Sequence, residues 1–306
     1  MKVLVATQKP FAKAAVDGIR AIVEKNGHTL ALLEKYAEQS DLVAAAADAD
    51  ALIVRSDKVT AEVVETAKNL KIVVRAGAGF DNLDLAACTA HKVVAMNTPG
   101  QNSNAVAELA LGLMIYMNRN QFTPGTGAEL QGKTIGIQAY GNVGRLVGQK
   151  AMALGMNVLA FDPYLTADKI EATGAKVAAS LEDLYAKSDF VSLHIPATPE
   201  TKGSIGRNLV SRMPKGACLI NTARKEVINE EELMAVLTER EDLRYVADVA
   251  PEKAAEFAEK FGKRYFGTPK KMGAETAEAN INAGLAAANQ ICDFFATGNT
   301  RFQLNK

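Results

Sequence analysis

The stretch Lys133-Thr134-Ile135-Gly136-Ile137-Gln138-Ala139-Tyr140-Gly141-Asn142-Val143-Gly144-Arg145, followed by Asn157-Val158-Leu159-Ala160-Phe161-Asp162, decides the fold. An apolar run enters a glycine turn, the turn opens a helix, and a second apolar run ends in a carboxylate. This is the order of a strand–turn–helix–strand unit that binds a dinucleotide. Gly141 lets the backbone approach a pyrophosphate, and Gly144 permits close helix–strand packing. The N–H groups at the helix start, around Tyr140, Asn142 and Val143, face the anion. Asp162 stands 18 residues beyond Gly144, where a carboxylate accepts hydrogen bonds from ribose hydroxyls and repels a 2′-phosphate. No arginine directly follows it, so NAD is expected rather than NADP. The turn departs from the fingerprint at one residue: Ala139 holds the place of the first glycine.

Bulk properties bound the rest. A chain of 306 residues suggests two domains. With 48% hydrophobic and 23% charged residues, the composition is that of a globular protein. A formal net charge of zero and the lack of a basic run argue against nucleic acid. The apolar runs are too short to span a bilayer, and the Met1-Lys2-Val3-Leu4-Val5 start reads as a strand, so a cytoplasmic protein without a membrane partner is expected. Cys88, Cys218 and Cys292 are far apart in apolar surroundings and read as reduced core residues. No histidine or second cysteine stands at ligand spacing, so no metal is expected.

Short apolar runs alternate with amphipathic segments throughout. Strands are expected at Lys2–Ala6, Leu30–Leu33, Ala51–Val54, Ile72–Val74 and Val93–Ala95. A second series comprises Ile135–Ala139, Val158–Phe161, Lys176–Val177, Phe190–His194, Ala217–Ile220 and Tyr245–Val249. A helix is expected from Pro10 onward, an apolar one over Ser103–Met117, a turn-rich linker over Asn118–Gly127, and a last helix from Ala274 to about Phe295. Such alternation gives an α/β fold with two doubly wound parallel-sheet domains. A Rossmann-type NAD domain over residues 99–282 is expected to be inserted into a smaller substrate domain over 1–98, to which 283–306 return.

Ligands of open parallel sheets bind beyond the carboxyl ends of the strands. The residues at those ends are Arg55-Ser56, Arg75-Ala76-Gly77-Ala78-Gly79, Asp162-Pro163-Tyr164, His194-Ile195-Pro196, Asn221-Thr222-Ala223-Arg224 and Asp248. Together with Met96-Asn97-Thr98-Pro99, Ala107-Glu108-Leu109 and Ala247-Asp248-Val249, this ordered set resembles the D-isomer-specific 2-hydroxyacid dehydrogenases. Through Leu52-Ile53-Val54-Arg55-Ser56 and Val74–Gly79, the first half is most similar to the short-form D-3-phosphoglycerate dehydrogenases within that family. The resemblance implies hydride transfer between a small 2-hydroxy acid and NAD, with 3-phospho-D-glycerate oxidised to 3-phosphohydroxypyruvate on the way to serine. It also implies a homodimer through the 103–117 helix, whose apolar residues occupy most faces. Burial inside one chain is the other reading of that helix.

Physical need assigns roles within this implied reaction. Arg224 offers a bidentate fork to the substrate carboxylate, and the N–H groups of Ala76–Gly79 form an anion nest. Arg55 and Arg75, with Ser56, suit a substrate phosphate. The alternative is that either arginine pairs with Asp57, Asp81 or Asp84. The resemblance gives Asp248 the nicotinamide carboxamide and places His194, Pro196, Thr222, Ala223 and Gly273 around the cofactor. The family's catalytic histidine is replaced: its segment here reads Gly267-Thr268-Pro269-Lys270-Lys271-Met272-Gly273. Lys270 takes its place as acid/base, with Glu252 as the companion carboxylate. A lysine with an ordinary pKa of about 10.4 must lose its proton to act as a base, which favours oxidation at alkaline pH. The alternatives are a glyoxylate or hydroxypyruvate reductase, indifferent to a substrate phosphate, and a non-catalytic NAD-binding protein of the corepressor kind.

Overall fold

Twelve strands, all parallel, build two sheets in the computed structural model, which describes residues 1–306. The first sheet contains β1 (Lys2–Thr7), β2 (Thr29–Glu34), β3 (Ala51–Val54), β4 (Ile72–Arg75) and β5 (Val94–Asn97), in the order β2-β1-β3-β4-β5. The second contains β6 (Thr134–Gln138), β7 (Asn157–Phe161), β8 (Lys176–Val177), β9 (Phe190–Leu193), β10 (Cys218–Asn221), β11 (Arg244–Ala247) and β12 (Tyr265–Gly267). Its order is β12-β11-β10-β9-β6-β7-β8. Both orders are doubly wound, with the direction of winding reversing at β1/β3 in one sheet and at β6/β9 in the other.

The chain divides into two units, Met1–Asn102 with Glu275–Lys306, and Ser103–Ala274. The divisions fall at 102/103 and 274/275 rather than at 98/99 and 282/283. The reason is that the last helix, Ala277–Thr297, is capped at its start by Thr276, whose Oγ1 accepts from Ala279 N at 3.1 Å, and packs along its length. Its Gly284 lies against Ile19 and Phe11, and Leu285 lies against Gly18 of the helix Lys13–Lys25. In the smaller unit the strand residues alternate between two cores, as period-two geometry requires: Val3 and Val5 face one cluster, Leu4 and Ala6 the other. All four are essentially inaccessible to solvent. Full burial of each larger one contributes roughly 1.5–3 kcal/mol, which is why these runs read as continuously apolar. The open edge of β5 is covered by the tail, where Leu304 N donates to Ala95 O at 2.8 Å and Ala95 N to Asn305 Oδ1 at 2.9 Å.

Several local expectations need correction. The first helix begins at Lys13, not Pro10, with Ala12 at its cap. The short strand β12 adds a seventh member to the larger sheet. Its three residues, Tyr265–Gly267, are too few to carry a periodic signal. The segment after the long helix is no free linker. Asn120, Gln121 and Phe122 all have left-handed backbone (φ 53, 57 and 56°). Gln121 Nε2 ties them down by donating to Tyr265 O at 3.0 Å, and the Phe122 ring packs edge-on against Tyr116.

The helix Ser103–Asn118 buries Ala105, Val106, Ala107, Ala110, Leu111, Leu113, Met114 and Met117 inside its own unit, against the helix Asn142–Ala153 and strands β10 and β11. Its apolar faces are therefore covered within one chain, and a dimer no longer follows from them. Only Asn104, Glu108 and Gly112 are exposed along it. No helix is long and apolar enough to cross a membrane. The three cysteines are buried and unpaired.

Candidate active site

The larger sheet gathers most of the sequence-derived site at its carboxyl edge. Along that edge stand Asp162 after β7, Ala139–Gly144 after β6, His194 after β9, Thr222–Arg224 after β10, Asp248 after β11 and Thr268–Gly273 after β12. The edge is stitched by backbone bonds that run past the strands: Ala139 N to Phe161 O (2.9 Å), His194 N to Gln138 O (3.0 Å), Asp248 N to Asn221 O (2.9 Å) and Thr268 N to Ala247 O (2.9 Å). Four strand steps separate Asp162 from Asp248, roughly 19 Å, a span suited to an extended dinucleotide.

The glycine turn sits at the β6/β9 reversal. Gly141 caps the helix Asn142–Ala153 and supplies no side chain to its first N–H groups, and a Cβ on Gly141 would meet no protein atom. Nothing in the protein's own packing requires glycine there, whereas an anion on those N–H groups does. Gly144 differs, because a Cβ would overlap the carbonyl oxygen of Ala139. Asp162 is held in place, accepting from Tyr140 N at 2.8 Å and Tyr164 N at 2.9 Å. Tyr140 brings only its backbone to the turn, since its ring is fully buried and its hydroxyl meets Thr173 Oγ1 at 2.9 Å. Thr222 Oγ1 is buried without a hydrogen-bond partner, a polar atom that a bound cofactor would satisfy. These features fit a dinucleotide.

Ala139 shows why the dinucleotide fingerprint has glycine at this position: its φ is +72°. Left-handed backbone costs an L-residue about 1–2 kcal/mol, of which glycine's greater loss of freedom on folding would give back about 0.5–1 kcal/mol. Ala139→Gly is therefore expected to stabilise the protein by about 0.5–1 kcal/mol, read as a higher urea midpoint. A lowered midpoint would show that Ala139 makes contacts worth more than its strain.

His194 is a neutral member of this edge. Its Nε2 lies 2.9 Å from Ser192 Oγ, and burial pushes its pKa down to about 3. It brings no charge to the cofactor at neutral pH. Pro196, two residues on, is exposed and uses its carbonyl to accept from Thr201 Oγ1.

Arg224 is positioned by Asn221, a residue whose part the sequence left unassigned. The Asn221 amide donates to Arg224 O at 2.9 Å while its Oδ1 accepts from Ala223 N at 3.0 Å, which forms a tight turn. The partly buried Arg224 guanidinium donates only to the neighbouring Ala223 carbonyl, at 2.9 Å, and no carboxylate lies within ion-pair distance. A fork left without an acid at a ligand-binding edge is equipped for an anion from outside.

Two residues on this edge have partners within the chain that the sequence did not indicate. Glu252 does not pair with Lys270. Its exposed carboxylate takes Lys225 Nζ at 3.2 Å, and its backbone N–H is held by Glu230. Asp248 is fully buried and spends its oxygens on the chain itself. It accepts from Met272 N and Gly273 N, both at 2.8 Å, and lies 3.1 Å from the Thr268 hydroxyl. Lys270 is exposed, and its ammonium meets no acid.

In the smaller unit, Arg55 and Asp57 stand at the β1/β3 reversal. Arg55 Nη1 donates to the carbonyls of Lys9 (3.2 Å) and Pro10 (3.3 Å), Nη2 to Asn280 Oδ1 (2.5 Å), and the guanidinium lies 5.2 Å from the Phe11 ring centre. It is therefore a structural strut, though paired with neutral groups and not with the acids considered from sequence. Asp57 instead joins strand ends, accepting from Gln8 N (2.7 Å), Tyr36 Oη (2.8 Å) and Arg55 N (3.3 Å). Arg75 Nε donates to Arg55 O at 2.9 Å, and its guanidinium lies against Gly77. The anion nest is smaller than expected, since Ala76 N donates to Val54 O and Gly77 N to Thr98 Oγ1. Only the Ala78 and Gly79 N–H groups remain for a ligand. Ser56 is exposed beside Asp57.

Comparison with known proteins places this geometry. Residues 111–267 match the family model of the D-isomer specific 2-hydroxyacid dehydrogenase, NAD binding domain. A D-3-phosphoglycerate dehydrogenase of Methanocaldococcus jannaschii is 38% identical over 259 residues, covering 80% of this chain and 49% of that protein. A hydroxypyruvate reductase of Thermotoga maritima is 37% identical over 222 residues, 68% of this chain and 71% of that protein. The chain thus spans about half the length of the curated phosphoglycerate dehydrogenases it matches. Among solved structures, an NAD+-bound 3-phosphoglycerate dehydrogenase of Entamoeba histolytica is 49% identical with a TM-score of 0.87, covering 100% of this chain and 99% of that one. The reversal-point glycine turn, the carboxylate after β7 and these matches agree: this chain belongs to the D-isomer-specific 2-hydroxyacid dehydrogenases, and residues 111–267 carry the family's NAD-binding domain.

Proposed function

We propose that the chain oxidises 3-phospho-D-glycerate to 3-phosphohydroxypyruvate with NAD, and runs the reduction when product and NADH are in excess. The observation that carries this reading is the pair of cations at the carboxyl edge, the Arg224 fork and the Lys270 ammonium, neither bonded to an acid. Arg224 takes the substrate carboxylate and fixes which face of C2 is presented. Bound NAD supplies the hydride acceptor. During oxidation Lys270, as the neutral amine, takes the hydroxyl proton as the hydride leaves C2, and in reduction the resulting ammonium returns that proton while stabilising the charge that builds on the oxygen. Glu252 is paired with Lys225 in this structure, so this reading places the proton transfer on Lys270 alone.

Within the smaller unit, Arg75 and the N–H groups of Ala78 and Gly79 are the groups suited to an anion such as a phosphate. The second reading, hydroxypyruvate or glyoxylate reduction, is favoured by Arg55, which is occupied by neutral acceptors and gives a phosphate less than the sequence suggested. The two separate in one experiment: NADH consumption with phosphohydroxypyruvate, hydroxypyruvate, glyoxylate and pyruvate side by side. Phosphohydroxypyruvate is expected to exceed hydroxypyruvate in kcat/KM by at least about tenfold, the worth of one charge-assisted contact of about 1.5 kcal/mol. Equal values would remove the phosphate assignment and favour the reductase.

A further inference from the structure

The loop that presents Lys270 is fastened on both sides of that residue and nowhere at its side chain. Before it, the Thr268 hydroxyl lies 2.5 Å from Asp248 O, 3.1 Å from Asp248 Oδ1 and 2.8 Å from the carbonyl of Lys270 itself. After it, Met272 N and Gly273 N donate to the two oxygens of the buried Asp248 carboxylate. Gly273 has to be glycine for this approach, since a Cβ there would stand 2.9 Å from Asp248 Oδ2. Asp248 is thus bonded to the loop at three points, and Thr268 and Asp248 fasten the backbone on both sides of Lys270.

We propose that Thr268 and Asp248 form a latch that sets where Lys270 stands, which makes them positioning residues for its proton transfer. This rests on the acid–base reading of Lys270 given above. The physical reason is that a flexible four-carbon ammonium can deliver a proton to one point only if its own Cα is fixed. Backbone bonds on both flanks provide that without engaging the charge. Burial makes the fastening strong, because a hydroxyl and a carboxylate removed from water have no other partners to exchange for.

The test uses the full chain and two readouts. In Thr268→Val the shape is kept and the hydroxyl lost. Trypsin cleavage after Lys270 and Lys271 is expected to speed up about tenfold as the loop opens. Over the same change kcat should fall about tenfold, equivalent to about 1.4 kcal/mol, with the Kd for NAD held within a factor of about two. Thr268→Ser should restore both. If Thr268→Val does not fold, Gly273→Ala strains the other flank with the hydroxyl intact and should accelerate the same cleavage. Cleavage at the wild-type rate overturns the latch. Faster cleavage with unchanged kcat overturns the link to Lys270, whereas the acid–base reading itself is decided by the pH–rate profile of Lys270→Met.

Discussion

Lys270→Met is expected to cut turnover about 10²- to 10⁴-fold while leaving the cofactor bound. A positioned acid/base contributes about 10²- to 10⁴-fold, and methionine keeps most of the stem's length while removing the charge and the proton. The loss should fall on kcat, since the glycine turn, Asp162 and Thr222 lie on other strand ends. NAD binding, followed by fluorescence titration, is expected to stay within about twofold of wild type. A pH–rate profile makes the assignment specific: the basic limb for oxidation should disappear with the lysine. If that limb is the same in Lys270→Met, the proton travels by another route. If neither protein turns over any of the four keto acids, the non-catalytic reading of the chain gains ground.

Arg224→Gln should act on the substrate instead. Losing a bidentate, charge-assisted contact to a carboxylate is worth about 3 kcal/mol, or a factor of about 150 in kcat/KM. Much of this should appear in KM, because the contact is made in the ground state as well as the transition state. Arg224→Lys is expected to recover only part of it, since an ammonium is a point charge without the fork. The Asn221 turn predicts a further graded effect through Arg224's orientation, as it bonds the arginine's own carbonyl. A KM for Arg224→Gln within twofold of wild type would show that the carboxylate is held elsewhere.

How far the sequence could be read differs between the edge and the side chains on it. The parallel alternation, the glycine turn and the strand-end positions were legible because each follows from local patterning: continuous apolar runs for doubly covered strands, and glycine where a helix meets a strand. Arg224 was legible for the same reason, standing just past a buried run. Strand β12 was not, having only three residues. Nor was the left-handed turn at Asn120–Phe122, since no glycine marks it and the hydrogen bonds from Gln121 to the carbonyls of Lys263 and Tyr265 come from far along the chain.

Partner choice was the larger gap. Arg55 was given a phosphate or an acid, and instead holds backbone carbonyls and Asn280, a residue 225 positions away. Glu252 was given Lys270 and holds Lys225. Asp248, besides the cofactor role expected of it, holds the Lys270 loop. In each case the residue type stated what kind of contact would be made, a cation needing acceptors or a carboxylate needing donors. It did not state which of several equally suitable groups folding would bring within 3 Å.

By itself the amino-acid order determined two doubly wound sheets, the dinucleotide turn at a strand tip and the place of Lys270 just past Thr268-Pro269, because these depend on neighbours in sequence. Only tertiary structure decided that Asp248 and Thr268 fasten that lysine's backbone while its ammonium stays unpaired. Hydrogen bonds between distant segments are chosen by burial and distance once the sheets have assembled, and no local pattern records them.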